Sequence, residues 1–473
     1  MLRAWALAQL RQIVPTTRSA VLAGHPTRAS TSGIAPVVRM TALAATLLAV
    51  WLWPSRAEAY TWMIRHGYGG CTTCHADPSG SETLTAYGRI QGDLLLRMRY
   101  GKDTVSAAAS ETQSSDFDSF DSFDAPAGEE RAKEPAPAAA APETSEGASP
   151  TAGFLWGLFE LPDWLLLGGA YRHLTVIEPE SEDKLATFPM QADLYGQLQL
   201  GPVRVAGDIG VIKVEPSSPH GRAAQITTNQ GDEMNLISRT HWLGVDITPD
   251  VLVRAGRINL PFGVRIPEHV MWVREATRTD RESDQQHGVS LAFQGDWLRG
   301  EIMGIAGNYQ INPDRFRERG YSLYLEALAS NWAALGVSSL VTRADEDRLL
   351  LDGQGMTRQA HGAFARLAPL PKLALLLEAD GLLRSRNTAG YAAFLQADYE
   401  VVQGLHFMLT GEALDEGKID EPGVESITGA GKPRFGGWAS VDWFFLPHLE
   451  MRVDGLKRQD EPFTLLAQLH VYL

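Results

Sequence analysis

Cys71 and Cys74 are the only cysteines in a chain of 473 residues, and His75 follows them directly. They lie in GYGGCTTCHADPSGSETLTAYGR, from Gly67 to Arg89. Two thiols at this spacing stand one helical turn apart. They can add to two vinyl groups on one edge of a porphyrin, and the adjacent imidazole can then ligate the iron. Cys-x-x-Cys-His is the attachment signature of a c-type haem. The residues therefore predict thioether bonds at Cys71 and Cys74, an iron ligand at His75, and one covalent haem c. A structural zinc site would need four Cys or His ligands, and there is no second cysteine pair. A dithiol redox site would need a βαβ setting, for which the segment is too short. The sixth iron ligand is open among Met98, which lies 23 residues past His75, His66, Met63, and the more distant His269 and Met271. Against these roles, Met98 reads equally as core packing and His66 as a surface residue.

Haem attachment after export suits the N-terminus. Arg39 precedes the apolar run TALAATLLAVWLW, Thr41 to Trp53, and Ala57-Glu58-Ala59 follows. That layout predicts a signal peptide over 1–59, cleaved before Tyr60. The alternative is an uncleaved anchor, but the run is too short to span a bilayer as a helix. Translation from Met1 and from Met40 are both compatible with it. Residues 1–59 hold six Arg and one Glu, so their removal takes the formal charge from −15 to −20. An acidic mature chain argues against a nucleic-acid partner.

Three parts follow the signal. Residues 60–102 form a compact head with five Arg or Lys and three acids, too small to make much core alone. Residues 103–150, with eleven acids, two bases and many Ala, Pro and Ser, predict a disordered tether. From 151 to 473 the chain alternates with period two. In MQADLYGQLQL, Met190, Ala192, Leu194, Leu198 and Leu200 share one face; Gln191, Asp193, Tyr195, Gln197 and Gln199 share the other. Sixteen such segments start near 164, 188, 203, 236, 251, 286, 297, 320, 332, 359, 372, 389, 405, 433, 449 and 463. Seven short joints, among them Gly201-Pro202, Gly295-Asp296, Gln403-Gly404 and Pro447-His448, alternate with mostly longer polar loops. The pattern predicts an all-β fold: an up-and-down outer-membrane barrel of about 16 antiparallel strands, with short periplasmic turns and longer outer loops. A soluble sandwich or propeller is the competing fold. It accounts poorly for strands of about 10–13 residues and alternating loop lengths.

With a single Cys-x-x-Cys-His after an export signal, Leu84-Thr85-Ala86-Tyr87-Gly88-Arg89 next, and then a barrel, the chain resembles the fused outer-membrane monohaem cytochrome c–porins. The best-known members of that family oxidise ferrous iron. The resemblance implies an electron conduit in which the haem passes electrons between an extracellular partner such as Fe(II) and periplasmic electron carriers, with the barrel in outer-membrane lipid. An outer-membrane Fe(II) oxidase activity is likewise implied by resemblance alone. The alternative function is a diffusion porin whose cytochrome head gates or plugs the pore. Arg254, Arg257, Arg265, Arg274, Arg278 and Arg281 cluster around RAGRINLPFGVRIPEH. They are expected either to pair with acids inside the barrel or to meet haem propionates and steer anions.

Overall fold

The computed structural model describes residues 61–80, 83–100, 154–181, 184–213, 224–227, 234–268, 270–308, 317–347, 353–418 and 431–473. The expected signal peptide, the expected tether and His269 lie outside the described residues. Seventeen strands are described: β1 (Leu165–Ile177), β2 (Leu185–Leu200), β3 (Val203–Lys213), β4 (Met234–Ile237), β5 (His241–Thr248), β6 (Val251–Ile258), β7 (Gln286–Gln294), β8 (Leu298–Gly307) and β9 (Glu318–Ser330), followed by β10 (Ala333–Ala344), β11 (Met356–Leu370), β12 (Leu373–Arg384), β13 (Gly390–Val402), β14 (Leu405–Asp415), β15 (Arg434–Leu446), β16 (Leu449–Arg458) and β17 (Thr464–Tyr472).

Apart from β4 and β5, each strand pairs antiparallel with its neighbours in the chain. β1 also pairs with β17, from Ala170↔Tyr472 to Ile177↔Leu465, which closes the sheet. β4 and β5 both pair with β3, so they make one barrel position and the barrel has sixteen. The interruption between them has a local cause. The Asp208 carboxylate on β3 accepts from the backbone N–H of Arg239 at 2.7 Å and of Thr240 at 3.0 Å, taking bonds that a ladder would otherwise use. All sixteen expected starts fall within three residues of the observed ones, and the seven expected short turns are present.

The two faces separate by chemistry. Leu243, Val245 and Ile247 on β5, Leu395 and Tyr399 on β13, and Phe407 and Leu409 on β14 point outward and are exposed. The residues between them, such as Gln396, Asp398, His406 and Thr410, are buried inside. A soluble sheet hides its apolar face. This one presents it all round, and closure leaves no unpaired edge, which lipid requires. The chain is an outer-membrane β-barrel of the porin type.

Part of the chain lies within the lumen. The connection from β6 to β7, residues 259–285, folds inward and carries a short helix, α2 (Trp272–Thr277; α1 is Ala86–Leu96). Its apolar residues Val264, Ile266, Met271 and Trp272 pack on Leu376, Phe394 and Trp438 of the wall. Two wall carboxylates hold its backbone: Glu378 accepts from Val264 N at 2.7 Å and pairs with Arg274, and Glu412 accepts from Trp272 N at 2.6 Å. Gly263 makes this approach possible. Its φ is +59°, and a Cβ there would lie 2.1 Å from Glu378 Oε1.

Candidate functional site

The head also lies within the lumen, at the end that carries the short turns. Residues Thr61–His66 form a 3₁₀ turn. Trp62 and Met63 join Ala374 and Phe444 in an apolar cluster, and Ile64 joins Leu328, Ala334 and Ala368 in another. Between them Arg65 reaches inward-facing acids, Asp398 at 3.1 Å and Glu400 at 3.4 Å, and lies against His406.

The cysteines occupy the next turn. The N–H groups of Cys74 and His75 both donate to Cys71 O, at 3.2 and 2.9 Å. This single helical turn stacks Cys71 and Cys74 at positions i and i+3, on one side. After it, His75 bridges to Leu84, and Ala76 N donates to Thr83 O at 2.9 Å. Helix α1 (Ala86–Leu96) then packs back on the motif. Thr85 caps it: its hydroxyl accepts from Gly88 N at 3.0 Å and donates to Thr73 O at 2.9 Å, while Thr85 N donates to Cys74 O at 2.9 Å. A Cβ on Gly88 would come 2.1 Å from Cys74 O, so only glycine lets the helix sit this close. Thr85 and Gly88 in LTAYGR are thus the supports of the cysteine turn.

The barrel wall grips the head through polar contacts. Arg254 is fully buried, and it donates to Asp77 at 2.5 Å and to Glu301 at 2.7 Å. Burial would raise the Asp77 pKa, but Arg254 and then the Ser79 hydrogen bonds reverse this and hold the carboxyl below its ordinary range. Arg265 donates to Pro78 O, and Arg366 donates to Gly69 O at 2.6 Å. Arg89 donates to Leu167 O on β1. At the short-turn end Gln403 donates to Leu94 O and Arg97 O, at 2.7 and 2.9 Å.

The expected haem residues therefore stand together inside the barrel: Cys71 half-buried, Cys74 buried and His75 half-buried. The residues present fit the group. Two thiols not bridged to each other stand on one side of a turn, with an imidazole next in sequence. The sixth-ligand candidates are placed apart. Met98 lies at the short turns, its N–H donating to Phe444 O at 2.9 Å. Met63 is in the apolar cluster with Trp62, and His66 stands 3.9 Å from Glu400. Met271 is buried in the inward loop. Of the six clustered arginines, Arg254 and Arg265 reach the head and also Glu301, Arg274 pairs with Glu378, and Arg278 with Glu318. Arg257 donates to Ser238 O at 2.7 Å. Pairing with interior acids, one of the two expectations, is what most of them do. The wall residues Asp398, Glu400, His406, Glu301 and Arg366 were not singled out from sequence. Their only signal there is the inward phase of the alternation.

No family model and no curated protein sequence matches the chain. Solved structures do. In vitro-folded OmpT of Vibrio cholerae in its trimer form is 11% identical, covering 65% of this chain and 99% of its own, with a TM-score of 0.48. OmpF of Salmonella typhi in complex with daunomycin is 14% identical over 65% of this chain and 97% of its own, with a TM-score of 0.47. An anion-selective porin from Comamonas acidovorans is 11% identical over 65% and 98%, with a TM-score of 0.43. At these identities the similarity is one of barrel fold.

Proposed function

We propose that this outer-membrane barrel is a porin closed by its own N-terminal head, and that the head carries one c-type haem on Cys71, Cys74 and His75. The observation that carries the reading is the seating of the head. Residues 61–100 are held by buried side chains from opposite sides of the lumen, Arg254 on Asp77 and Asp398 on Arg65. A solute crossing the barrel must displace these contacts or slip past them. Planar-bilayer conductance tests the closure: the intact protein should stay closed, and deletion of residues 60–102 should open a large conductance. Equal conductance from both proteins would overturn it.

A second reading, the electron conduit, is favoured by the cysteine turn itself, since a passive pore has no use for a covalent redox group. Haem c supplies one-electron transfer. The chain's own part is to fix the attachment turn through Thr85 and Gly88, and to hold it inside a low-dielectric wall. Fe(II) as donor and periplasmic carriers as partners rest on the family resemblance alone. Peroxidase staining of denaturing gels should show a haem band that Cys71→Ala and Cys74→Ala abolish. Liposomes enclosing an electron acceptor should be reduced from outside by the wild type and not by His75→Ala. Equal rates would exclude the conduit.

A further inference from the structure

At the end of the barrel opposite the short turns, four arginines meet inside the rim. Arg358 on β11 and Arg384 on β12 share the inward phase of Ala360 and Asp380, and the strand register sets them directly opposite each other. Like charges so placed repel. Arg278, which ends α2 in the inward loop, and Arg386, just past β12, join them. Arg278 and Arg358 both act on Arg384 as like charges. Arg278 and Arg386 also hold a left-handed backbone, with φ of +51° and +72°. They are two of the six non-glycine residues with positive φ among the described residues, so the strained backbone is concentrated at this cluster. Strain of this kind collects where a side chain must be aimed.

Two carboxylates serve the four cations. Glu318 on β9 accepts from Arg358 at 2.6 Å and pairs with Arg278. Asp347 stands 3.3 Å from Arg386 and pairs with Arg384. Four positive charges against two negative leave two in excess among the described residues of the cluster. The layering sharpens the imbalance. The side chains of Glu318 and Asp347 are 6% and 1% exposed, whereas those of the arginines keep 11 to 21% of their surface open. The acids form a floor, and water at this mouth meets guanidinium donors from the inward loop and from two strands. A planar fork of N–H donors matches the edge of a tetrahedral oxyanion, which can bridge two guanidiniums and cancel their repulsion. We infer that this cluster binds a small dianionic oxyanion, phosphate or sulfate, between Arg358 and Arg384, with Arg278 and Arg386 donating to its remaining oxygens. The two charges of the ligand match the two in excess. The site depends neither on the head nor on its haem, since all six residues belong to the wall and its loops.

Isothermal titration of the intact purified protein in detergent tests this, with inorganic phosphate as the probe at mildly alkaline pH, where it is a dianion, and nitrate at matched ionic strength as the control. Phosphate should give a saturable heat with a Kd on the order of 0.1 mM, within reach of so small a ligand, and nitrate none. Arg358→Gln and Arg384→Gln should each weaken phosphate about tenfold, the loss of charged hydrogen bonds. Both variants should fold, because Arg278 still pairs with Glu318 and Arg386 with Asp347. Arg319→Gln should leave the affinity unchanged, as that side chain is 52% exposed and stands by Asp345. Equal binding of nitrate would reduce the cluster to a diffuse positive field and overturn the site. No saturable binding of phosphate, or unchanged affinity in both cluster variants, would overturn it as well. The preference of the wild type for phosphate over nitrate decides the matter even where a variant does not fold.

Discussion

At the scale of residues, Asp280 in the inward loop is held in a place that disfavours its charge. Burial first, and then the neighbouring Asp284, raise its pKa to about 7, with hydrogen bonds from Ser283 and the Glu282 N–H offsetting part of the effect. A carboxyl with a raised pKa in the fold keeps its proton there while the unfolded segment has lost it. Its contribution is therefore favourable at acid pH and is lost as pH climbs from the ordinary carboxylate range through about 7. Limited proteolysis of the loop should accelerate as pH rises from about 5 to about 7, by about tenfold per pH unit for each such carboxyl. Asp280→Asn should flatten that dependence. Gly88→Ala belongs to the same scale. Its Cβ would meet Cys74 O, so α1 must lift from the cysteine turn, and in protein produced without haem attachment thiol-reactive probes should label Cys74 much faster than in the wild type prepared the same way. A rate unchanged by the substitution would show that the helix does not support the turn. The sequence made the cysteine turn plain because its chemistry is local. It could not show that Asp77 meets Arg254, since the two lie 177 residues apart and only barrel closure brings them together.

At the scale of elements, the strands were legible and the inward loop was not. Alternation is imposed by lipid on one side and polar lumen on the other, so each strand announces itself independently of its neighbours. Residues 259–285 lack that period, and nothing local says whether such a segment lies outside the barrel or folds within it. The decision rests with Glu378 and Glu412 on distant strands. Glu378→Ala should release the loop: it removes the partner of buried Arg274 and the acceptor of Val264 N. Stranding a buried guanidinium costs about 3–5 kcal/mol. The expected result is protease cleavage near Gly263 with the barrel still resistant. Loss of the whole barrel would instead mean that Glu378 serves strand pairing. The interruption between β4 and β5 was likewise invisible, because Asp208 reads simply as one more inward polar residue of β3.

At the scale of the whole molecule, a barrel closed through β1 and β17 should migrate faster on a denaturing gel before boiling than after. Deleting residues 60–102 should preserve that behaviour, since the wall's own ladder is complete without the head. A head-deleted protein that migrates identically with and without boiling would show that the head is part of the wall's stability.

The grip of Arg89 on Leu167 of β1 and of Gln403 on Leu94 and Arg97 also sets a problem of order. The head, made before any of the wall, ends up inside it, touching both the first strand and turns laid down more than two hundred residues later. Either the wall is wrapped around a finished head, or the head is threaded through the mouth ringed by the short turns. If the cysteines carry the proposed haem, each route fixes when they must be served: thioether chemistry would have to be complete before the seam between β1 and β17 shuts, or before the head passes inside. The barrel is then a record of timing, sealing in whatever the cysteine turn carried at the moment of closure.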